Sequence, residues 1–119
     1  MAQWNDKLLI PVPLENMGFF KPADGNWSIQ GDAMGLPGIE HHMVTKPGTG
    51  ILVNQPTPGK NGNLISAEEF GDLDFQFDFL MPKGSNSGVY LMGRYELQLT
   101  DAWGIRNPAF SDCGGIYQR

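Results

Sequence analysis

Residues 72–81 place Leu73, Phe75, Phe77, Phe79 and Met81 on one side of an extended chain, and Asp72, Asp74, Gln76 and Asp78 on the other. Apolar residues at every second position fit a strand, whose side chains point alternately to opposite faces; a helix needs them every three or four. Such a strand has one face to bury and one to wet, so it demands a sheet and a second apolar layer to cover that sheet. The same period returns at 94–100, where Tyr95, Leu97 and Leu99 alternate with Arg94, Glu96, Gln98 and Thr100. Gly93 separates this run from 87–92, which makes the two either one bent strand or a hairpin.

The rest of the chain is cut into short pieces. It holds 16 glycines and 9 prolines among 119 residues, about a fifth of the chain against roughly 12% in average proteins. Residues 26–30 read as a strand closed by a Gly31-Asp32 turn, and 33–49 as a long loop. A strand at 51–54 and a short one at 64–65 follow, separated by a loop carrying Pro56, Pro58, Gly59 and Gly62. Pro11, Pro13 and Pro22 leave residues 1–22 as an N-terminal arm. The expected fold is therefore all-β, with six or seven short strands in a sandwich of antiparallel sheets.

Charge narrows the partners. Eight basic against 13 acidic side chains give a net charge of −5 and a pI near 4.7, with no Lys/Arg cluster to hold a phosphate backbone, so nucleic acid is excluded. The longest apolar runs are too short to cross a bilayer, and the N-terminus lacks the basic-then-apolar pattern of a signal peptide. The single cysteine, Cys113, forms no intrachain disulfide.

The row Arg94, Glu96, Gln98 and Thr100 is the leading candidate for chemistry, because same-face neighbours on a strand stand about 7 Å apart and can converge on one small polar ligand. A cation, a carboxylate and an amide without a lysine suit a sugar; the competing reading is a solvated outer face. Asp101 and Trp103 follow at the strand end. A retaining glycosidase would place a second carboxylate about 5 Å from the first, yet Gln98 and Thr100 occupy the neighbouring same-face positions. Ordinary double displacement is thus disfavoured.

Other motifs carry less. Asp72, Asp74 and Asp78 form an acidic stripe, but calcium prefers a curved loop to a flat strand. His41 and His42 point to opposite sides of an extended chain and read as loop residues. Cys113 has no activating neighbour, and Gly48-Thr49-Gly50 lacks the lysine and helix of a phosphate loop. Asn26-Trp27-Ser28 matches a glycosylation sequon. Trp27, Tyr90, Trp103 and Tyr117 are the aromatics available to stack on a sugar or to fill a core. No metal site or cofactor is expected.

Several blocks together resemble a known family: Gly25-Asn26-Trp27-Ser28-Ile29, Asn63-Leu64-Ile65, Glu69-Phe70-Gly71-Asp72-Leu73, Gly84-Ser85-Asn86-Ser87-Gly88-Val89-Tyr90-Leu91, Gly93-Arg94-Tyr95-Glu96-Leu97-Gln98-Leu99, Asp101 and Asp112-Cys113-Gly114-Gly115-Ile116-Tyr117. In order, from about residue 20 to 119, they resemble the bacterial 3-keto-disaccharide hydrolase domain family. The resemblance implies a concanavalin A-like jelly roll, a carbohydrate ligand and a 3-keto-glycoside substrate. A ketone at C3 acidifies the hydrogen at C2, so one base suffices for elimination of the glycosidic oxygen, followed by hydration. On that implication Glu96 is the base or acid, Arg94 polarises the keto oxygen and Asp101 is a second proton-transfer group. Asn86 and Gln98 orient hydroxyls, and Tyr90 and Trp103 line the substrate. A non-catalytic carbohydrate-binding module using the same face is the alternative.

Members of that family continue through further strands after the Gly-Gly-Ile-Tyr block, so residues 23–119 are expected to supply only part of the jelly roll. Another chain, either the C-terminal remainder of the same domain or a second copy, is expected to complete it. The resemblance also implies a periplasmic or extracellular location.

Overall fold

A computed structural model of the chain describes residues 9–118; residues 1–8 of the expected arm and Arg119 lie outside them. Four strands form: β1 (Trp27–Gly35), β2 (Met43–Asn54), β3 (Asn86–Leu91) and β4 (Tyr95–Thr100). β1 pairs with β2, and β3 with β4, in two separate two-stranded sheets. Among the described residues there is no helix, so the all-β class holds, and the antiparallel pieces fit part of a jelly-roll sandwich. The chain divides into two units, one running to Ala33 and again over Thr45–Phe77, the other over Met34–Val44 and from Asp78 onward.

The first unit corrects the expected turn and loop. β1 runs through Gly31 and Asp32 to Gly35, and β2 begins at Met43, so the two strands take up both ends of the stretch expected to be irregular. Gly31 serves close approach here: a Cβ on it would fall 2.8 Å from the Pro47 carbonyl oxygen and 3.0 Å from the Gly48 Cα. Two facing glycines let the backbones touch where side chains would hold them apart. No strand forms at 64–65; instead Phe20 and Ser66 make an isolated bridge, flanked by bonds from Lys21 N–H to the Ile65 carbonyl (2.8 Å) and from Ala67 N–H to that of Phe19 (2.9 Å). Asn26 anchors the start of β1. It is 4% exposed, and its amide nitrogen donates to Asn54 Oδ1 (2.8 Å) and to the Gly62 carbonyl (3.0 Å). Trp27 Nε1 donates to that same carbonyl at 2.8 Å.

In the second unit β3 and β4 are an antiparallel hairpin with Leu91 opposite Tyr95, Gly88 opposite Gln98 and Asn86 opposite Thr100. Met92 (φ 55°) and Gly93 (φ 63°) make the turn, closed by Arg94 N–H on the Leu91 carbonyl at 3.1 Å. Positive φ at both central positions matches the right-handed twist of hairpin strands. The other edge of β4 takes up the segment around Ile116, with Gly114 N–H on the Gln98 carbonyl, Gln98 N–H on that of Gly115 and Tyr117 N–H on that of Glu96, at 2.8–2.9 Å. Flanked on both sides, Gln98 and Leu99 are 5% and 7% exposed.

The most strictly patterned segment, 72–81, forms no strand. Leu73, Phe75, Phe79 and Leu80 stay about half exposed, although Phe75 and Phe77 stack with ring centroids 5.0 Å apart, as same-face neighbours should. Alternation decides which side chains share a face, but a ladder also needs a neighbouring backbone in register. Val53 and Leu99 are the buried apolar side chains among the described residues.

Candidate functional site

The β3–β4 register sorts the site residues. Cross-strand partners share a face, so Asn86, Gly88 and Tyr90 of β3 lie beside Thr100, Gln98 and Glu96 of β4. Four of the seven expected site residues, Asn86, Tyr90, Glu96 and Gln98, therefore stand on one surface. Arg94 sits one position before β4, in the hairpin turn, and is exposed. Asp101 and Trp103 lie beyond the other end of the strand.

Glu96 is half-buried, and its side chain leans across the strands onto Gly88. A Cβ at Gly88 would lie 2.5 Å from Glu96 Oε1 and 2.9 Å from its Cγ. The absence of a side chain at Gly88 is what gives the carboxylate this resting place, diagonal to its own partner Tyr90. No hydrogen bond or ion pair to the Glu96 carboxylate is formed among the described residues.

Asp101 presents the opposite case. Its Oδ2 accepts the Gly84 N–H at 2.9 Å and its Oδ1 the Trp103 N–H at 3.2 Å. These two bonds, with a smaller contribution from the charge of Lys83, hold its pKa below the ordinary 3.8. A carboxylate that is already doubly bonded and favours its charged form is a weak proton acceptor. Asp101 also lies about 17 Å from Glu96, counting five residues at about 3.4 Å each along an extended strand. The two carboxylates do not meet on one glycosidic bond.

The remaining residues divide between the two ends. Gln98 is almost inaccessible, and its Nε2 donates to the Ser111 carbonyl at 3.3 Å, so it braces the sheet and offers a solute little. Thr100 Oγ1 donates to the Ser85 carbonyl at 3.2 Å. Asn86 is exposed opposite Thr100, Tyr90 is 42% exposed opposite Glu96, and Trp103 is 95% exposed.

One residue at the open end escaped the sequence reading. His41 adopts φ 56°, its N–H donates to the Lys83 carbonyl at 2.8 Å, and its Cε1 lies 3.5 Å from where a Gly84 Cβ would be, with Glu40 3.6 Å from the same point. A non-glycine residue in the left-handed region is a feature to explain. Its 43-residue separation from Gly84 hides the contact from any spacing argument.

Among the described residues no three His, Cys, Asp or Glu side chains converge as a metal-holding group. The sequon asparagine is not a glycan acceptor in this fold, since Asn26 is buried with its amide nitrogen doubly engaged. Two shallow depressions, of about 380 Å³ beside Phe20 and Trp27 and about 300 Å³ beside Leu36 and Leu80, include no residue of the β3–β4 face. The candidate site residues lie on the hairpin and at its ends.

The sequence model of the 3-keto-alpha-glucoside-1,2-lyase-like domain family matches residues 18–119. No curated protein and no solved structure gives a significant match.

Proposed function

We propose, from the premise that the chain belongs to the 3-keto-alpha-glucoside-1,2-lyase-like domain family, that the β3–β4 face cleaves 3-keto-glycosides by proton abstraction centred on Glu96. The observation that carries this reading is the Glu96 carboxylate itself, half-buried, resting on Gly88 and unengaged by the described residues. It removes the C2 proton of the bound sugar, and the electron pair moves into an enolate on the C3 oxygen. Collapse of the enolate forms the C1–C2 double bond and breaks the bond from C1 to the glycosidic oxygen. That oxygen leaves as an alcohol, taking the proton back from Glu96. One carboxylate thus serves as base and then acid, which accounts for the missing second carboxylate. Arg94, exposed at the same end of the hairpin, supplies the cation for the enolate oxygen. Water added across the new double bond gives the hydrolysed sugar.

The test is incubation with a 3-keto-glucoside and with its unoxidised parent, following aglycone release and proton exchange at C2 in deuterated water. Cleavage of the keto form alone, with C2 exchange, is expected. Binding of the keto form without exchange or release overturns the lyase reading in favour of a carbohydrate-binding module.

The half-exposed phenylalanine face of 72–81 supports a second part of the proposal: a β-strand from a polypeptide outside residues 9–118 pairs with this segment and covers it. Native mass and amide exchange check this. Protection of 72–81 in a monomeric 13.1 kDa species contradicts it, and protection gained only in a larger complex is expected.

A further inference from the structure

Glu96 has a tyrosine on each side. Tyr90 faces it from β3, and on the other edge of β4 the bridge between Leu97 and Ile116 sets Tyr117 opposite it, with the Tyr117 N–H on the Glu96 carbonyl at 2.9 Å. Cross-strand partners share a face, with Cβ atoms about 5 Å apart, so Tyr90, Glu96 and Tyr117 form one row over three adjoining segments. The row behind it is Gly88, Gln98 and Gly115. That second row is closed on the outer side, because a Cβ on Gly115 would fall 2.8 Å from the Phe110 carbonyl carbon and Gln98 Nε2 reaches the Ser111 carbonyl. The Glu96 carboxylate leans the other way, onto Gly88, and so takes the β3 side itself. Among the described residues two directions around it stay open: along β4 to the exposed Arg94 in the turn, and across to Tyr117.

Tyr117 is braced where it stands. Phe110 meets its ring edge-on, with centroids 6.0 Å apart at 70°, while 40% of the residue remains exposed. A tyrosine fixed by its backbone and by one ring contact still has a hydroxyl whose hydrogen turns to suit an acceptor. The substrate divides the two open directions. C1 and C3 are the two ring neighbours of C2, so a sugar with C2 at Glu96 sends its C3 oxygen and its glycosidic oxygen different ways. With the C3 oxygen at Arg94, the glycosidic oxygen falls on the Tyr117 side. We infer that Tyr117 is a further catalytic residue, whose hydroxyl donates a hydrogen bond to the glycosidic oxygen as the bond from that oxygen to C1 breaks. This rests on the Glu96 reading for removal of the C2 proton. Negative charge gathers on the departing oxygen before the proton returns from Glu96, and a donor already in place lowers that barrier. Tyr117 keeps its own proton throughout, so the proton that leaves C2 is the one that ends on the alcohol.

The experiment compares methyl 3-keto-glucoside, whose leaving group is an alkoxide, with 4-nitrophenyl 3-keto-glucoside, whose stabilised phenolate departs without a donor. Tyr117→Phe keeps the ring on Phe110 and removes the hydroxyl. Its kcat on the methyl glycoside should fall roughly 100-fold, the cost of one donor to a developing oxyanion, and on the nitrophenyl glycoside should stay within about threefold. Proton exchange at C2 of the methyl glycoside in deuterated water should persist in the variant and outrun cleavage. Equal losses on the two substrates, exchange lost together with cleavage, or no loss on either each overturn the inference; the first marks a structural role and the second puts the hydroxyl at the C3 oxygen. The Glu96 reading is judged apart, by C2 exchange in the wild-type chain and its loss in Glu96→Gln. Release of both aglycones without exchange refutes that reading alone, and the leaving-group split in Tyr117→Phe then still upholds the donor. Release of neither aglycone by the wild-type chain overturns both.

Discussion

Glu96 and Asp101 are two carboxylates at opposite ends of one strand, five residues apart, and the fold treats them in contrary ways. Glu96 is laid over a glycine, half-buried, with no donor to its carboxylate among the described residues. Asp101 is likewise only partly buried, yet both of its oxygens are occupied by backbone N–H groups. Access alone is therefore a poor guide to chemical role. A side chain whose hydrogen-bonding capacity is spent on the chain positions loops, and one whose capacity is reserved is available for a substrate.

The largest expected effect tests that contrast directly. Glu96→Gln keeps the shape and removes the proposed base, so kcat on a 3-keto-glycoside should fall about 10³-fold, with KM little changed. Asp101→Asn should leave kcat within about tenfold, because it loosens a loop rather than the proton transfer. A deeper loss in Asp101→Asn than in Glu96→Gln reverses the assignment. Removing the cation with Arg94→Ala should cost about 10²-fold in kcat, the low end for loss of one group stabilising a developing oxyanion. Gly88→Ala sharpens the comparison from the other side of the ladder, since its new Cβ would displace Glu96 Oε1. Misplacement by about 1 Å costs as much as 10²-fold, while alanine does not lower strand stability relative to glycine. Activity lost at an unchanged melting temperature is the expected signature; full activity would show that the carboxylate works from some other position.

How much of this was legible beforehand depends on whether a feature is local. The alternation at 94–100 identified a strand and put Glu96, Gln98 and Thr100 on one face, as the register shows. Gly93 correctly marked a break, and the hairpin alternative is the one realised. The stronger alternation at 72–81 misled, because it specifies faces and says nothing of whether a neighbouring backbone is present to pair. Gly31-Asp32 misled in the reverse direction: a glycine that reads as a turn can equally be the point where two backbones cross closely, and only Pro47 and Gly48, 16 and 17 residues later, distinguish the cases. Arg94 was placed in the strand row by parity, yet the two positive φ values at Met92 and Gly93 put it in the turn. The burial of Gln98 comes from Gly114 and Gly115, and the clamp on Asp101 from Gly84. Each is a contact of long sequence separation that no period encodes.

The smallest effect concerns protons and isolates the structural half of the comparison. Asp101 has its folded pKa lowered beneath the ordinary 3.8 by the Gly84 and Trp103 N–H groups. A group whose pKa is lower folded than unfolded contributes stability that is fully present above its unfolded value and is lost as pH falls through the folded one. The melting temperature of the wild-type chain should therefore exceed that of Asp101→Asn by a constant margin above this range and converge toward it as pH falls through and below 3.8. Because the group is solvent-exposed the margin is small. A margin that stays constant down to strong acid would mean that the two N–H bonds do not depend on the charge of Asp101. Trp103 would then be held by loop geometry alone, and the contrast with Glu96 would rest on position and not on protonation.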